Sequence, residues 1–162
     1  MLPASYLPAA PEATIEKLND MSGKWKGFTK TWLASNNLAE ESAVSGSIHP
    51  ILGGKYFIHE YEGDLHGNHF DGFVIYGYTS GQEKLQQVCL DSFQMGTGIV
   101  FNKIDINKEG FHLAGNYNGT DETWNWRSEI DMPDKNTLII SSYNIKPNGM
   151  EAKATETIYN RI

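Results

Sequence analysis

The sequence predicts an all-β, antiparallel domain behind one short N-terminal helix. Three observations carry that expectation. Beyond Gly23, apolar and polar residues alternate with a period of two. Clusters of Gly, Pro, Asn, Asp and Ser interrupt the alternation roughly every ten positions, the spacing of short strands in sandwiches and barrels. The connections are too short for parallel crossovers, which need about a dozen residues or more.

The helix comes first. Pro11-Glu12 opens Ala13–Asn19, with a proline and an acid in the first turn and Ile15 and Leu18 on one face. Met21-Ser22-Gly23 ends it. Ten strands are then expected: Lys24–Leu33, Ala39–His49, Lys55–Glu62, Asn68–Thr79, Lys84–Phe93, Gly98–Asn107, Phe111–Asn118, Thr123–Asp131, Thr137–Ile145 and Glu151–Arg161. Turns fall at Ser35-Asn36-Asn37, Pro50 to Gly54, Gly63 to Gly67, Ser80-Gly81, Gly96, Lys108-Glu109-Gly110, Asn118-Gly119, Pro133-Asp134 and Pro147-Asn148-Gly149. This many antiparallel strands hide their edges in a sandwich or in a closed barrel, and composition alone does not choose between them.

The chain has 162 residues, 40% of them apolar and 20% charged, which suits one soluble domain with a core of its own. Residues 1–22 read as an N-terminal segment and 23–162 as the β domain. The net charge of -7, without any dense basic run, argues against a nucleic-acid partner and against an acidic membrane surface. No segment approaches membrane-spanning length. Cys89 is the sole cysteine, so no internal disulfide can form. No basic leader precedes an apolar run, and cytoplasm is the expected location.

The strand ends carry a more specific signal. Gly23-Lys24-Trp25-Lys26-Gly27 turns Trp25 inward and both lysines to water, and the last strand closes on Tyr159-Asn160-Arg161. This pairing resembles the calycin superfamily of lipocalins and fatty-acid-binding proteins, in which a Gly-x-Trp opens the first strand and an Arg of the last lies across the indole. An Arg stacked on a Trp face gains cation–π attraction and staples the two strands together. The resemblance assigns Trp25, Arg161 and the neighbouring Tyr159 to barrel closure.

Seven further segments occur in order: Ile51-Leu52-Gly53-Gly54-Lys55-Tyr56, Glu60-Tyr61-Glu62-Gly63, Phe70-Asp71-Gly72, Tyr76-Gly77-Tyr78, Leu90-Asp91-Ser92, Gly96-Thr97-Gly98 and Glu156-Thr157-Ile158-Tyr159-Asn160-Arg161. From about Gly23 to Arg161 the chain thus resembles the domain-of-unknown-function family 1579, mostly bacterial proteins with calycin-like barrels. Cys89 stands where that family commonly has an aromatic, and Thr79 where it commonly has an Asp. The fold implied is a closed antiparallel calycin-like barrel of about ten strands, with the helix over one end.

Several sharper chemistries are tested by the same alternation. His59, His66 and His69 lie among Glu60, Glu62, Asp64 and Asp71, but they scatter over two faces and a turn, whereas a zinc site needs three or four converging ligands. The stretch reads as a hairpin, and no metal is expected. Haem is not expected either, since no histidine follows His112. Gly96-Thr97-Gly98 lacks a phosphate-loop ending, Cys89 lacks cationic neighbours, and no nucleophile elbow is present.

The interior wall remains. Asp91, Arg127, Glu156, Tyr61, Tyr78, Tyr143 and Arg161 are polar or amphipathic groups on strands that partly face inward, with Arg127 outward if Trp126 faces in. Such groups either satisfy one another or read a ligand's polar head, beside flat contact from Trp124 and Trp126. The expectation is noncovalent binding of a small amphipathic or hydrophobic molecule, without cofactor, through Phe57, Tyr78, Asp91 and Tyr143. One alternative is an isomerase or decarboxylase using an interior carboxylate, Asp91 or Glu156, with a tyrosine. Another is a homodimeric interaction module joined through Phe28, Trp32 and Phe73.

Overall fold

The computed structural model describes residues 12–34, 37–79, 84–92, 98–107, 110–118 and 123–162. Residues 1–11, the expected turns at Ser35-Asn36, Ser80-Gly81, Gly96, Lys108-Glu109 and Gly119, and the expected strand end at Phe93 lie outside them. The helix is α1 (Glu12–Met21). The strands are β1 (Gly23–Ala34), β2 (Asn37–Ile51), β3 (Tyr56–Leu65), β4 (Asn68–Thr79), β5 (Lys84–Asp91), β6 (Val100–Asn107), β7 (Gly110–Asn118), β8 (Thr123–Asp134), β9 (Thr137–Ile145) and β10 (Glu151–Arg161). No helix among the described residues is long and apolar enough to cross a membrane.

Neighbouring strands are antiparallel throughout. Their hydrogen-bonded order is β1-β10-β9-β8-β7-β6-β5-β4-β3-β2, and β1 pairs with β2 as well as with β10, so the sheet curls round on itself. Alternation along β3 shows how sequence sorts the two faces. Phe57, His59, Gly63 and Leu65 are buried, while Glu60, Glu62 and Asp64 are exposed between them. The β3–β4 connection is two residues long, His66 and Gly67, both at positive φ (51° and 75°), the geometry that matches a hairpin's twist.

At the β1–β10 seam, Gly27 faces Tyr159 in register. A side chain at Gly27 would run into the Ile158 carbonyl and come within 3.0 Å of the Tyr159 Cα. Only glycine lets the two backbones approach this closely.

One end of the curled sheet is filled. Leu18 and Met21 of α1, both nearly fully buried, join Trp25, Ile48, Phe57, Leu85, Leu138 and Tyr159 in one apolar cluster. The helix is tied there as it ends: the Trp25 indole N–H donates to the Met21 carbonyl at 2.9 Å, and the Ser22 N–H to Asn19 O at 3.0 Å. The cluster draws on the start of β1, β3, β5 and β9 and on the end of β2 and β10. The opposite ends of the same strands have no helix against them among the described residues.

Candidate functional site

Inward positions away from the helix are held by small or hydroxyl-bearing residues rather than by large apolar ones. Thr29 and Thr31 of β1, Ser42 of β2, Ser128 of β8, Ser142 of β9, and Ala154, Thr155 and Thr157 of β10 all border an interior cavity of about 780 Å³. Side chains this short leave the middle of the curled sheet unfilled. Val44, Leu65, Phe70, Val74, Ile130 and Ile140 add apolar wall between them.

The floor is aromatic and buried. His59, Tyr76 and Tyr159 are buried, and His59 Nε2 lies 3.3 Å from the Tyr159 hydroxyl, with either group able to donate according to the tautomer. The His59 ring sits 5.2 Å from Tyr61 and meets Tyr159 edge-on at 5.7 Å. Gly46 makes room for this group, since a Cβ there would lie 2.8 Å from the Tyr159 hydroxyl and 3.0 Å from His59 Nε2. Burial pushes the imidazole down to about 4, so His59 is neutral at neutral pH.

Above the floor the Tyr61 hydroxyl donates to Asp91 Oδ2 at 2.9 Å. Gly72 clears the path of that phenol: a Cβ on it would lie 2.5 Å from the hydroxyl oxygen. Burial, then the neighbouring Cys89 and Asp91, push the Tyr61 phenol well above its usual range, which keeps it a donor. Burial raises the Cys89 thiol to about 11, far from the thiolate that nucleophilic chemistry needs.

On the opposite wall the polar groups largely satisfy one another. Thr29 and Thr157 hydroxyls are 2.7 Å apart, Ser128 and Ser142 hydroxyls 3.0 Å, and the Trp126 indole donates to Ser128 at 2.9 Å. The Ser42 hydroxyl oxygen is buried with no hydrogen-bond partner among the described residues. A second hollow, of about 650 Å³, runs over the outer face of β2–β5 past Glu60, Glu62, Asp71 and Phe73. Tyr61, Asp91 and Gly98 border both spaces and so form the partition between them.

The residues expected to touch ligand separate into three places. Asp91 borders the cavity. Phe57 and Tyr78 do not: Phe57 is buried in the helix-side cluster and Tyr78 packs against it, so both belong to the filled end. Tyr143 is on the outer face, because Ile140, Ser142 and Asn144 of the same strand turn inward. Its ring lies 4.0 Å beneath the Arg127 guanidinium, and its hydroxyl is 3.4 Å from Glu129 Oε2.

That outer face also claims other groups considered for the interior. Trp126 borders the cavity, so Arg127 points away from it and pairs with Glu129 and, at 2.5 Å, with Glu151. Glu156 pairs with Lys153 at 2.5 Å instead of serving as an interior acid. Trp32 moves the opposite way. A register shift between Thr31 and Trp32 turns it toward the cavity and away from the exposed Phe28 and Phe73 with which a dimer face was expected.

At the strand seam, Trp25 and Arg161 are register partners, and the guanidinium carbon stands 4.2 Å over the indole. Arg161 donates to the carbonyls of Ser22 (2.5 Å), Asp20 (2.6 Å) and Lys135 (2.8 Å), joining the helix end, the first strand and the β8–β9 turn. Tyr159 lies beside Trp25 at 6.4 Å between ring centroids.

The histidines do not converge. His59 is interior, His66 in the hairpin turn meets Glu40 at 2.9 Å, and His69 is exposed at the start of β4. Among the described residues no group of three or more His, Cys, Asp or Glu is placed to hold a metal ion. His59 and the hydroxyl wall were not expected as site residues. The parity of β3 already puts His59 on the Phe57–Tyr61 face, and the run of Thr, Ser and Ala at inward positions was the available sign of an unfilled interior.

Comparison with known proteins agrees with this geometry. Residues 10–161 match the family described as protein of unknown function DUF1579. The chain belongs to this family. No curated protein matches this DUF1579 chain. Among solved structures it is similar to the S-type phycobiliprotein lyase of Guillardia theta, with a TM-score of 0.66 and 13% identity over 92% of each chain. At that identity the likeness is one of fold, and the fold is calycin-like.

Proposed function

We propose that this DUF1579 protein binds a small amphipathic molecule noncovalently inside a closed, ten-stranded calycin-like barrel. The observation that carries the reading is the interior cavity of about 780 Å³, with apolar walls and a few convergent polar groups. Small-molecule sites commonly occupy roughly 300–1,000 Å³ with this mixture of lining. Tyr61, Asp91, Ser42 and Trp126 are the contacts we assign, in place of Phe57, Tyr78 and Tyr143. The buried Ser42 hydroxyl supports the reading, because an unsatisfied polar atom in a core costs about 1–3 kcal/mol and a ligand's polar head would offset it. A single cysteine, unable to form an internal disulfide, suits a cytoplasmic setting.

The test uses a neutral apolar fluorophore, N-phenylnaphthylamine, titrated into the wild type and into Ala154→Trp. Ala154 is buried at the cavity wall, so the indole would occupy the space while leaving the strand pairing alone. Saturable binding to the wild type, weakened by about tenfold or more in the variant, is expected, since lost cavity contacts of that size are worth over 1 kcal/mol. Both proteins should still melt cooperatively. Equal affinity in the two would place the probe elsewhere and sink the assignment.

A further inference from the structure

The hydroxyl wall has an order across the strands that its residues do not show one by one. Ser42 of β2 is the register partner of Thr29 of β1, and Thr29 that of Thr157 of β10. Thr157 in turn faces Ile140 of β9, and Ile140 faces Ile130 of β8. All five border the cavity. One row crossing five strands is therefore hydroxyl-bearing at its β2 end and aliphatic at its β8 end. Side chains directly opposite each other in a ladder have Cβ atoms about 4.5–5.5 Å apart, so the row forms a continuous track.

The polar end of that track has protons to give. In the Thr29–Thr157 pair one hydroxyl donates to the other at 2.7 Å, which uses one of the pair's two protons. Ser42 is 9% exposed, and its hydroxyl has no hydrogen-bond partner among the described residues. Its chain neighbours Glu41 and Ala43 are exposed, so alternation turns the Ser42 side chain into the interior and away from water. A buried donor without an acceptor is rarer than an oxygen with a lone pair left over, so the group this corner lacks is an acceptor. A carbonyl oxygen brings lone pairs and no proton of its own, and it can accept from two hydroxyls together.

We infer that the cavity takes a ligand whose polar end is a carbonyl, a ketone, ester or amide, seated between Ser42 and the Thr29–Thr157 pair. Its apolar body lies along Ile140 and Ile130. The inference rests on the binding role proposed above and goes further by naming the ligand's polar group and its seat. The seat is built by β2, β1 and β10, and the apolar track by β9 and β8.

The experiment displaces bound N-phenylnaphthylamine with two ligands of one carbon skeleton, butyrophenone and n-butylbenzene, which differ only in the carbonyl oxygen. In Ser42→Ala the affinity for butyrophenone should fall about fivefold, the worth of one hydrogen bond, while that for n-butylbenzene stays within about twofold. Thr29→Val combined with Thr157→Val replaces both members of the pair by an apolar group of the same shape and should have the same selective effect. Ser42→Ala breaks no bond to a described residue and carries the test if the double variant does not fold. Ser45→Ala, on the outer face where its hydroxyl meets Glu62, should change neither affinity. Butyrophenone binding unchanged in Ser42→Ala, both ligands weakened alike, or a loss on Ser45→Ala would overturn the seat. A wild type that takes n-butylbenzene and not butyrophenone would overturn the carbonyl. Failure of the wild type to bind the fluorophore or either ligand would instead remove the binding role beneath both.

Discussion

His59 makes the interior sensitive to acid in a way that can be sized. Its imidazole is fully buried and titrates at about 4, against 6.5 when solvated. Between those values the unfolded chain binds a proton that the folded chain refuses, so stability falls as pH drops from about 6.5 toward 4. At about 1.36 kcal/mol per pH unit, the whole interval is worth about 3 kcal/mol, of which about 2 kcal/mol has been lost by pH 5. The perturbation is His59→Gln, which keeps a polar group near Tyr159 but cannot titrate. Urea unfolding of both proteins, at pH 7 and at pH 5, isolates the effect from carboxylates common to the two. The variant should be the less stable at pH 7, yet lose about 2 kcal/mol less than the wild type on going to pH 5. Parallel losses in both proteins would show that His59 is hydrated or already protonated in the fold, and the buried floor described above would be wrong.

Three further outcomes follow from single contacts. Gly27→Ala forces a methyl group into the Ile158 carbonyl and should lower stability by about 2 kcal/mol or more in thermal unfolding, against a change near zero if the β1–β10 approach were loose. Arg161→Lys keeps the charge but loses the flat stacking face over Trp25 and the fork that reaches three carbonyls, so it should cost about 2 kcal/mol. Wild-type stability in that variant would mean the seam does not depend on the guanidinium. Ser42→Ala removes the one side-chain hydroxyl that is buried and unpartnered among the described residues, and should be neutral or stabilising by up to about 1 kcal/mol in the absence of ligand. A loss greater than that would reveal a bond to Ser42 that this account lacks.

Strand positions, the helix and the Trp25–Arg161 pairing were legible because each rests on local chemistry: period-two alternation, turn residues, and a cation beside an indole. The site was legible only in part. Alternation assigns a face but not a depth, so Phe57 and Tyr78 were credited to a pocket when α1 fills their end of the interior. The chemistry of Tyr143 and Glu156 suggests an inward role, although the inward neighbours Ser142 and Thr157 place them outside, and Arg127 faces outward as the condition on Trp126 requires. Trp32 defeated parity itself, since the register shift after Thr31 brings it to the cavity side. The hydroxyl wall is not legible in the sequence because Thr and Ser in strands are ordinary one at a time. Their meaning comes from lining one space together, which depends on register across β1, β2, β8, β9 and β10.

The most direct measurement of the central claim is a crystal structure of the protein grown with N-phenylnaphthylamine. The account predicts density for the probe inside the curled sheet, between Tyr61, Trp126 and Ser142, with Phe57 and Tyr78 untouched at the helix end. Density confined to the outer face, or an interior closed by inward-moved side chains with no probe, would contradict it.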